Sequence, residues 1–231
     1  MEVIYYAHGK AQSRCSTARM EANSVTAKTY AIHPLANSDL LAAAHICAQA
    51  MRDNPVHIQV FGASPALREH RLRRFFPGLL AYVYRKGSLY GAFANGTLVG
   101  VLGMLPPKNC KPSLRVLLYL LPTLLTSNSP VETVRLAIWL VTWARIDPPT
   151  PHWHLGPLAV TPAWQQHGVG TQLIEHAVNK GAGDSLYLET DRLTNMEFYE
   201  GFGFSVLAAP SILATPSWVM MRPPTAEISG G

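Results

Sequence analysis

Cysteine is scarce in this chain. Cys15, Cys47 and Cys110 are the only three in 231 residues, and they stand far apart. That count and spacing exclude a disulfide framework and a cysteine-based metal site, and they suit a reducing, cytoplasmic setting. Long apolar runs are lacking too. Val116 to Leu125 comes nearest, but Tyr119 and Pro122 interrupt it. It also falls short of the roughly 18 to 20 residues that a membrane span needs. The first 25 residues hold no apolar segment of the kind a secretory signal carries. Rich in Ser, Ala and Thr and without a period, they read as a disordered leader or an upstream extension of the true start. Residues 226–231 read as a flexible tail. The charge is only mildly unbalanced, at +5, which suits an anionic small ligand as well as nucleic acid. No aromatic interleaving typical of a nucleic-acid-binding module is present, so no such partner is expected.

What is there is apolar content, 48% of the chain, enough for one substantial core. A single domain over residues 26–225 is expected. A strand is expected over 30–35. Ser38 is placed to cap a helix carrying Leu40, Leu41, Ala44, Cys47, Ala48 and Met51, which Asn54-Pro55 stops. A loop over 56–64 and a second helix from 65 to about 80 follow. Asn95-Gly96 between two apolar runs predicts a hairpin. Residues 113–126 and 130–145 suggest one or two helices, broken by Asp147-Pro148-Pro149. Then come a strand over 152–160, a helix over 168–180 stopped by Gly181, and a strand over 185–190. A short helix over 194–200 has Thr194 and Glu197 at capping-box spacing. Strands over 204–207 and 218–221 close the chain. Helices and strands mix throughout, so the fold class is α/β or α+β.

Gly168 and Gly170 open the helix over 168–180. Glycine is disfavoured there by roughly 1 kcal/mol against alanine. The helix is amphipathic through Val169, Leu173, Ile174, Ala177 and Val178, so it packs on a sheet. Its first N–H groups have no partner within the helix and meet an anion well, a phosphate above all. Bare backbone at 168 and 170 lets the anion approach. A simple tight turn is the other reading. Neither the dinucleotide fingerprint nor the P-loop is present.

The residues around these glycines form a longer pattern. Gln165-Gln166-His167-Gly168-Val169-Gly170 reads Q-x-x-G-x-G after Leu158-Ala159-Val160-Thr161-Pro162. Leu186-Tyr187-Leu188-Glu189-Thr190, Asn195 and Phe198-Tyr199-Glu200-Gly201-Phe202-Gly203-Phe204 follow in order. The set resembles the GNAT superfamily of acyl-CoA N-acyltransferases, in the branch that includes puromycin N-acetyltransferase. The likeness covers 153–222 well and 38–107 in element order only. It implies a mixed twisted sheet of about six or seven strands flanked by helices, with a helical insertion over 113–145 before the central strand. It implies acetyl-CoA as co-substrate, with a pantetheine arm lying where the parallel strands splay. Backbone groups of Leu158 and Val160 would pair with that arm. Amides of Gln165, Gln166, His167, Gly168, Val169, Gly170 and Thr171 would hold the pyrophosphate, and Asn195 would touch the cofactor.

An amine acceptor with a pKa near 10 is mostly protonated at neutral pH, so its acetylation needs a base, and the departing thiolate benefits from an acid. Tyr199 sits where the family's tyrosine often protonates the coenzyme A sulfur; packing within its aromatic neighbourhood is the plainer reading. Strand alternation puts His152, His154, Gly156 and Leu158 on one face. His154 occupies the position that holds a glutamate base in histone-acetylating members of the superfamily. Glu189 is the competing base, or an anchor for the substrate ammonium. Arg68, Arg71, Arg73 and Arg74 read as a solvated face, with a cofactor phosphate or an acidic substrate as the alternative. Residues 113–145 would cover the core or form a lid over a hydrophobic acceptor, and 54–64 would face the acceptor. The expectation is direct acetyl transfer to a primary amine of a small molecule, by a monomer or homodimer without a metal. A non-catalytic acyl-CoA-binding module, a protein N-acetyltransferase and a basic nucleic-acid-binding protein are the rivals.

Overall fold

The computed structural model describes residues 29–107 and 129–224. The expected leader, the tail and the helix over 113–126 lie outside them, as do Cys15 and Cys110. A mixed sheet of seven strands organises the described chain, in the order β1-β2-β3-β4-β5-β9-β6. Its members are β1 (Ala31–Pro34), β2 (Ser88–Ala94), β3 (Thr97–Leu105), β4 (Trp153–Val160), β5 (Leu186–Thr190), β6 (Ser205–Ala208) and β9 (Trp218–Arg222). A small pair, β7 (Ser211–Ile212) and β8 (Thr215–Pro216), stands apart. Six α-helices are described: α1 (Leu40–Ala50), α2 (Pro55–Phe61), α3 (Pro65–Lys86), α4 (Pro130–Ile146), α5 (Val169–Lys180) and α6 (Leu193–Glu200). Within the large sheet only β4 and β5 are parallel, joined through α5 as a parallel pair requires. Among the described residues no helix is long and apolar enough to cross a membrane.

The expected hairpin forms at Asn95-Gly96, both with positive φ (50° and 75°), which matches the twist of the flanking strands. Other boundaries differ from expectation, each for a local reason. Ser38 does not cap α1. It lies inside a 3-10 turn, Asn37–Asp39, whose Asp39 carboxylate accepts from the Ala36 N–H at 2.8 Å. Most of the expected loop over 56–64 is helix, Pro55–Phe61, and only 62–64 connect it to the next helix. Asn54-Pro55 ends one helix and starts the next, because proline at the first helical position gives up an N–H that no bond needs. The second helix runs past residue 80 to Lys86 and through Pro77. Proline costs a helix interior about 3 kcal/mol, but Leu80 and Val83 beyond it are buried against the sheet. The Thr194–Glu197 capping box does not form, since Arg192 is the N-cap of α6. A capping box forms instead at the start of α4, between Ser129 and Glu132.

The basic run is not a solvated face. Arg68 is buried and donates to the carbonyls of Arg52 (2.5 Å), Gly62 (2.8 Å) and Ala63 (3.0 Å) and to Asp53 (2.6 Å). Arg71 is buried, donates to Phe61 O at 2.7 Å and pairs with Glu132 at 3.2 Å. Arg73 pairs with Glu69, and only Arg74 is exposed. The run therefore ties the α2–α3 corner together and fastens α4 to it.

Two apolar clusters fill the molecule. One gathers α1, α2 and α3, the other α5, β5 and Tyr199 of α6. Strand β4 contributes to both, and a bulge changes which of its residues face which. Leu155 pairs with Met104 but Leu158 pairs with Leu102, so β4 carries one extra residue at Gly156-Pro157. Before the bulge Trp153 and Leu155 face the α5 cluster; after it Leu158 and Val160 do. The expected common face of His152, His154, Gly156 and Leu158 is thus broken: His154 shares its side with Ala159, not with Leu158. Gly103 opposite makes the bulge possible, because a Cβ there would stand 2.3 Å from Gly156 O.

Candidate active site

Strands β4 and β5 are paired only at Trp153–Leu186 and His154–Tyr187. Beyond those residues they part. The Thr161 N–H donates to Val99 O at 2.9 Å, which makes Gly100–Val160 a non-hydrogen-bonded pair of the β3–β4 ladder. The N–H and C=O of Val160, and by alternation those of Leu158, therefore turn away from β3 and into the gap. They form a short free sheet edge, with the Gln165 side-chain amide resting on Val160 O at 3.1 Å.

The loop after β4 leads to the N-terminus of α5. Gln166 and Gly168 both have positive φ (62° and 82°), a backbone alternation that curls N–H groups into an anion-binding concavity. The first intrahelical bond runs from Gln172 N–H to Gly168 O, so the amides of Val169, Gly170 and Thr171 have no partner within the helix. The two glycines serve different ends. A Cβ on Gly168 would touch nothing within 4 Å, so its left-handed conformation is what requires glycine. A Cβ on Gly170 would meet Phe198 and Val160 only at 3.9 Å. Protein packing does not demand glycine there, and its absent side chain leaves the helix start open to the cavity. Tyr30, just before β1, braces the loop and the helix after it, donating from its hydroxyl to His167 O at 2.8 Å and from its N–H to Gln172 Oε1 at 2.9 Å.

A cavity of about 1320 Å³ runs from this loop through the gap to α2, α3 and α4. Leu158, Val160, Gln165, Gln166, Gly168, Gly170, Thr171, Asn195, His154, Glu189 and Tyr199 all line it. His167 and Val169 do not: the His167 ring is exposed, with Nδ1 on Gln165 O at 2.7 Å, and Val169 packs in the core.

At the fork of the strands, His154 Nε2 lies 2.9 Å from Glu189 Oε2. A carboxylate only accepts, so the imidazole donates from Nε2. Its Nδ1 is 4.0 Å from Asp147 Oδ1, which lies 3.3 Å from His152 Nε2. His152 is buried, with Nδ1 on Thr150 O at 2.8 Å. The Tyr187 ring packs against both imidazoles. Asp147, His152 and His154 hold their ligand atoms within 4.8 Å of one another, the one such grouping among the described residues. Across the cavity Tyr199 is buried against Phe198 and Phe204. Burial pushes its phenol up to about 12.

Three lining residues escaped the sequence reading. Asp147 stood in a Pro-Pro break and read as punctuation only, yet it is the residue that ends α4. Asp191 follows Thr190 directly and accepts the Val56 N–H at 2.6 Å. His57 was hidden by the expectation of a loop over 56–64.

Residues 62–204, more than half of the chain, match the family model described as Acetyltransferase (GNAT) family. Among solved structures, one from Corynebacterium glutamicum, described as histone acetyltransferase HPA2 and related acetyltransferase, superposes with a TM-score of 0.68 at 22% identity. The match covers 87% of this chain and 99% of that one. An N-acetyltransferase from Thermoplasma acidophilum in complex with coenzyme A gives 0.53 at 16% identity, covering 85% and 99%. Arylalkylamine N-acetyltransferase 2 from Aedes aegypti gives 0.53 at 14% identity, also covering 85% and 99%. At these identities the likeness is one of fold.

Proposed function

The chain belongs to the GNAT family of acetyltransferases, and from that premise we propose that it moves an acetyl group from acetyl-CoA directly to the primary amine of a small molecule. Acetyl-CoA is the co-substrate, and it supplies the activated thioester carbonyl. The observation that carries the reading is continuity. The anion-facing loop, the free edge of Leu158 and Val160, the His154–Glu189 pair and Tyr199 all open on one cavity. The amides of Val169, Gly170 and Thr171 suit the pyrophosphate, and the bare Gly170 admits it. The motif order supports the branch that includes puromycin N-acetyltransferase.

The amine arrives as an ammonium, and the carboxylates of Glu189, Asp191 and Asp147 in the lining attract it. His154 and Glu189 act together as its base. A proton given to either is shared through their 2.9 Å bond, so it belongs to the pair and leaves from there to solvent. The freed amine forms the C–N bond as the C–S bond breaks. Tyr199, which lines the same cavity, steadies the departing thiolate in this reading. With its phenol near 12 and a thiol near 8.5, full proton transfer runs uphill, so the hydroxyl serves as a hydrogen-bond donor and the thiolate takes its proton from solvent.

Calorimetry with coenzyme A and turnover with a panel of amines test this. Coenzyme A binding with no amine or peptide acetylated would make the chain a non-catalytic binding module. Acetylation of peptide N-termini alone would make it a protein N-acetyltransferase. Absence of coenzyme A binding would remove the cofactor reading itself.

A further inference from the structure

The half of the cavity away from the anion-facing loop has its own chemistry. Its wall between α2, α3 and α4 is apolar: Val56, Phe75, Phe76, Trp139 and Leu140 line it. Asn54, Tyr82 and Thr133 also line this half, and His57 is set among its aromatic rings. His57 is only 5% exposed, yet it lines the cavity. Its ring is held edge-on by Trp139, Phe61 and Phe76, with centroids 5.2, 5.7 and 6.3 Å away. Nδ1 lies 2.7 Å from Met51 O. A carbonyl only accepts, so Nδ1 carries the proton and Nε2 is left as an acceptor. No described residue hydrogen-bonds to Nε2. Burial lowers the pKa of this imidazole; the Met51 carbonyl and the Asp191 charge oppose that, and Arg68 adds to it.

We propose, resting on the acetyl-transfer reading above, that the acceptor is a monoamine with an aromatic-sized apolar body and a hydroxyl or N–H donor separate from its amine, and that His57 reads that donor. Of the lining carboxylates, Asp147 stands at the end of α4 and Glu189 near the end of β5, where they meet the reacting ammonium; Asp191 stands beside α2, where it already accepts the Val56 N–H at 2.6 Å. A second ammonium deeper in the wall would have to be desolvated among aromatic rings. That disfavours polyamines. An entirely apolar body would leave the His57 acceptor facing it unpaired, which a well-matched substrate avoids. His57 is a specificity-determining residue in this account and takes no part in the bond changes.

The test uses tyramine and phenethylamine, which differ by one phenolic hydroxyl, with spermidine as the polycation, in the presence of acetyl-CoA. The expected order of kcat/KM is tyramine first, by roughly tenfold or more over phenethylamine, and spermidine last. His57→Phe keeps an aromatic ring and removes the acceptor. It should bring the tyramine preference to about onefold while coenzyme A affinity, read by calorimetry, holds. His57→Gln, which offers an amide oxygen, should restore part of the preference. Equal turnover of the two aromatic amines by the wild-type protein, a preference that survives in His57→Phe, or faster turnover of spermidine would each overturn the proposal. Should His57→Phe fail to fold, the wild-type comparison decides alone. Coenzyme A binding with no amine acetylated would sink the transfer reading and this one with it; turnover of other amines but neither aromatic one would sink this one only.

Discussion

His154 and Glu189 meet across 2.9 Å at the point where β4 and β5 stop pairing. Glu189 stands two residues beyond Tyr187, the last partner of His154, so strand alternation brings it back to the same side. The splay opens the cavity and the pair closes its apex. One structural event thus opens the gap and sets the His154–Glu189 pair at its apex.

If the two residues form one base, their losses do not multiply. His154→Ala and Glu189→Gln should each lower kcat by roughly 100-fold, and the double variant should fall little further than the worse single. Coenzyme A affinity should not move. Steady-state kinetics on the three variants checks this; a double variant slower by the product of the singles would mean independent roles.

Tyr199→Phe keeps the packing on Phe198 and Phe204 and removes one hydroxyl. As a hydrogen-bond donor rather than a full acid, Tyr199 should contribute roughly 10- to 100-fold to kcat. Its phenol is raised from 10 to about 12 by burial, so it should produce no alkaline limb below pH 10 in the rate profile. The linked stability has a definite sign. It is fully present below pH 10 and is lost as the pH climbs toward 12. The Tyr199→Phe protein should lack that alkaline loss, which thermal melts from pH 9 upward would reveal.

Much of this site was legible in sequence because its signals are local. The Q-x-x-G-x-G run, the hairpin at Asn95-Gly96 and the period of α5 are each fixed by residues a few positions apart. What escaped depends on contacts far along the chain. The bulge at Gly156-Pro157 exists because β3 offers Gly103 opposite, so simple alternation put His154 and Leu158 on the wrong common face. Arg68 and Arg71 read as solvated because their partners, Asp53, Glu132 and three loop carbonyls, are invisible to a charge count. His57 was lost because Asn54-Pro55 read as a stop, when a proline at a first helical position is also a start.

The two glycines of the loop separate by mutation. Gly168→Ala forces an alanine into left-handed backbone at a cost of about 1 kcal/mol, and should lower Tm by a few degrees with a modest loss of coenzyme A affinity. Gly170→Ala should leave Tm unchanged or slightly raised, since its Cβ meets only ordinary contacts. Gly170→Asp should abolish detectable coenzyme A binding with the fold intact, because its carboxylate would occupy the anion's place. Melting curves beside calorimetry distinguish the three. Unchanged affinity in Gly170→Asp would rule out the anion cradle.

The corner between α2 and α3 should make the acceptor half acid-sensitive. Asp53 bonds Arg52 and the buried Arg68, and these guanidiniums hold its carboxyl down from 3.8 to about 2. A depressed carboxyl stabilises the fold at pH values above its unfolded pKa, near 4. That contribution is lost as the pH falls through 2. Asp53 is half exposed, so after solvent screening the contribution is about 1 kcal/mol. Asp53→Asn should therefore lower Tm at pH 7 and make no difference near pH 2. The same change loosens Arg68, which also holds Gly62 O and Ala63 O just past the helix that carries His57. The acceptor KM should rise at pH 7 while coenzyme A affinity stays fixed, since the loop proposed to hold the pyrophosphate joins β4 to α5. A parallel loss of coenzyme A affinity would show that the two halves of the cavity are not independent.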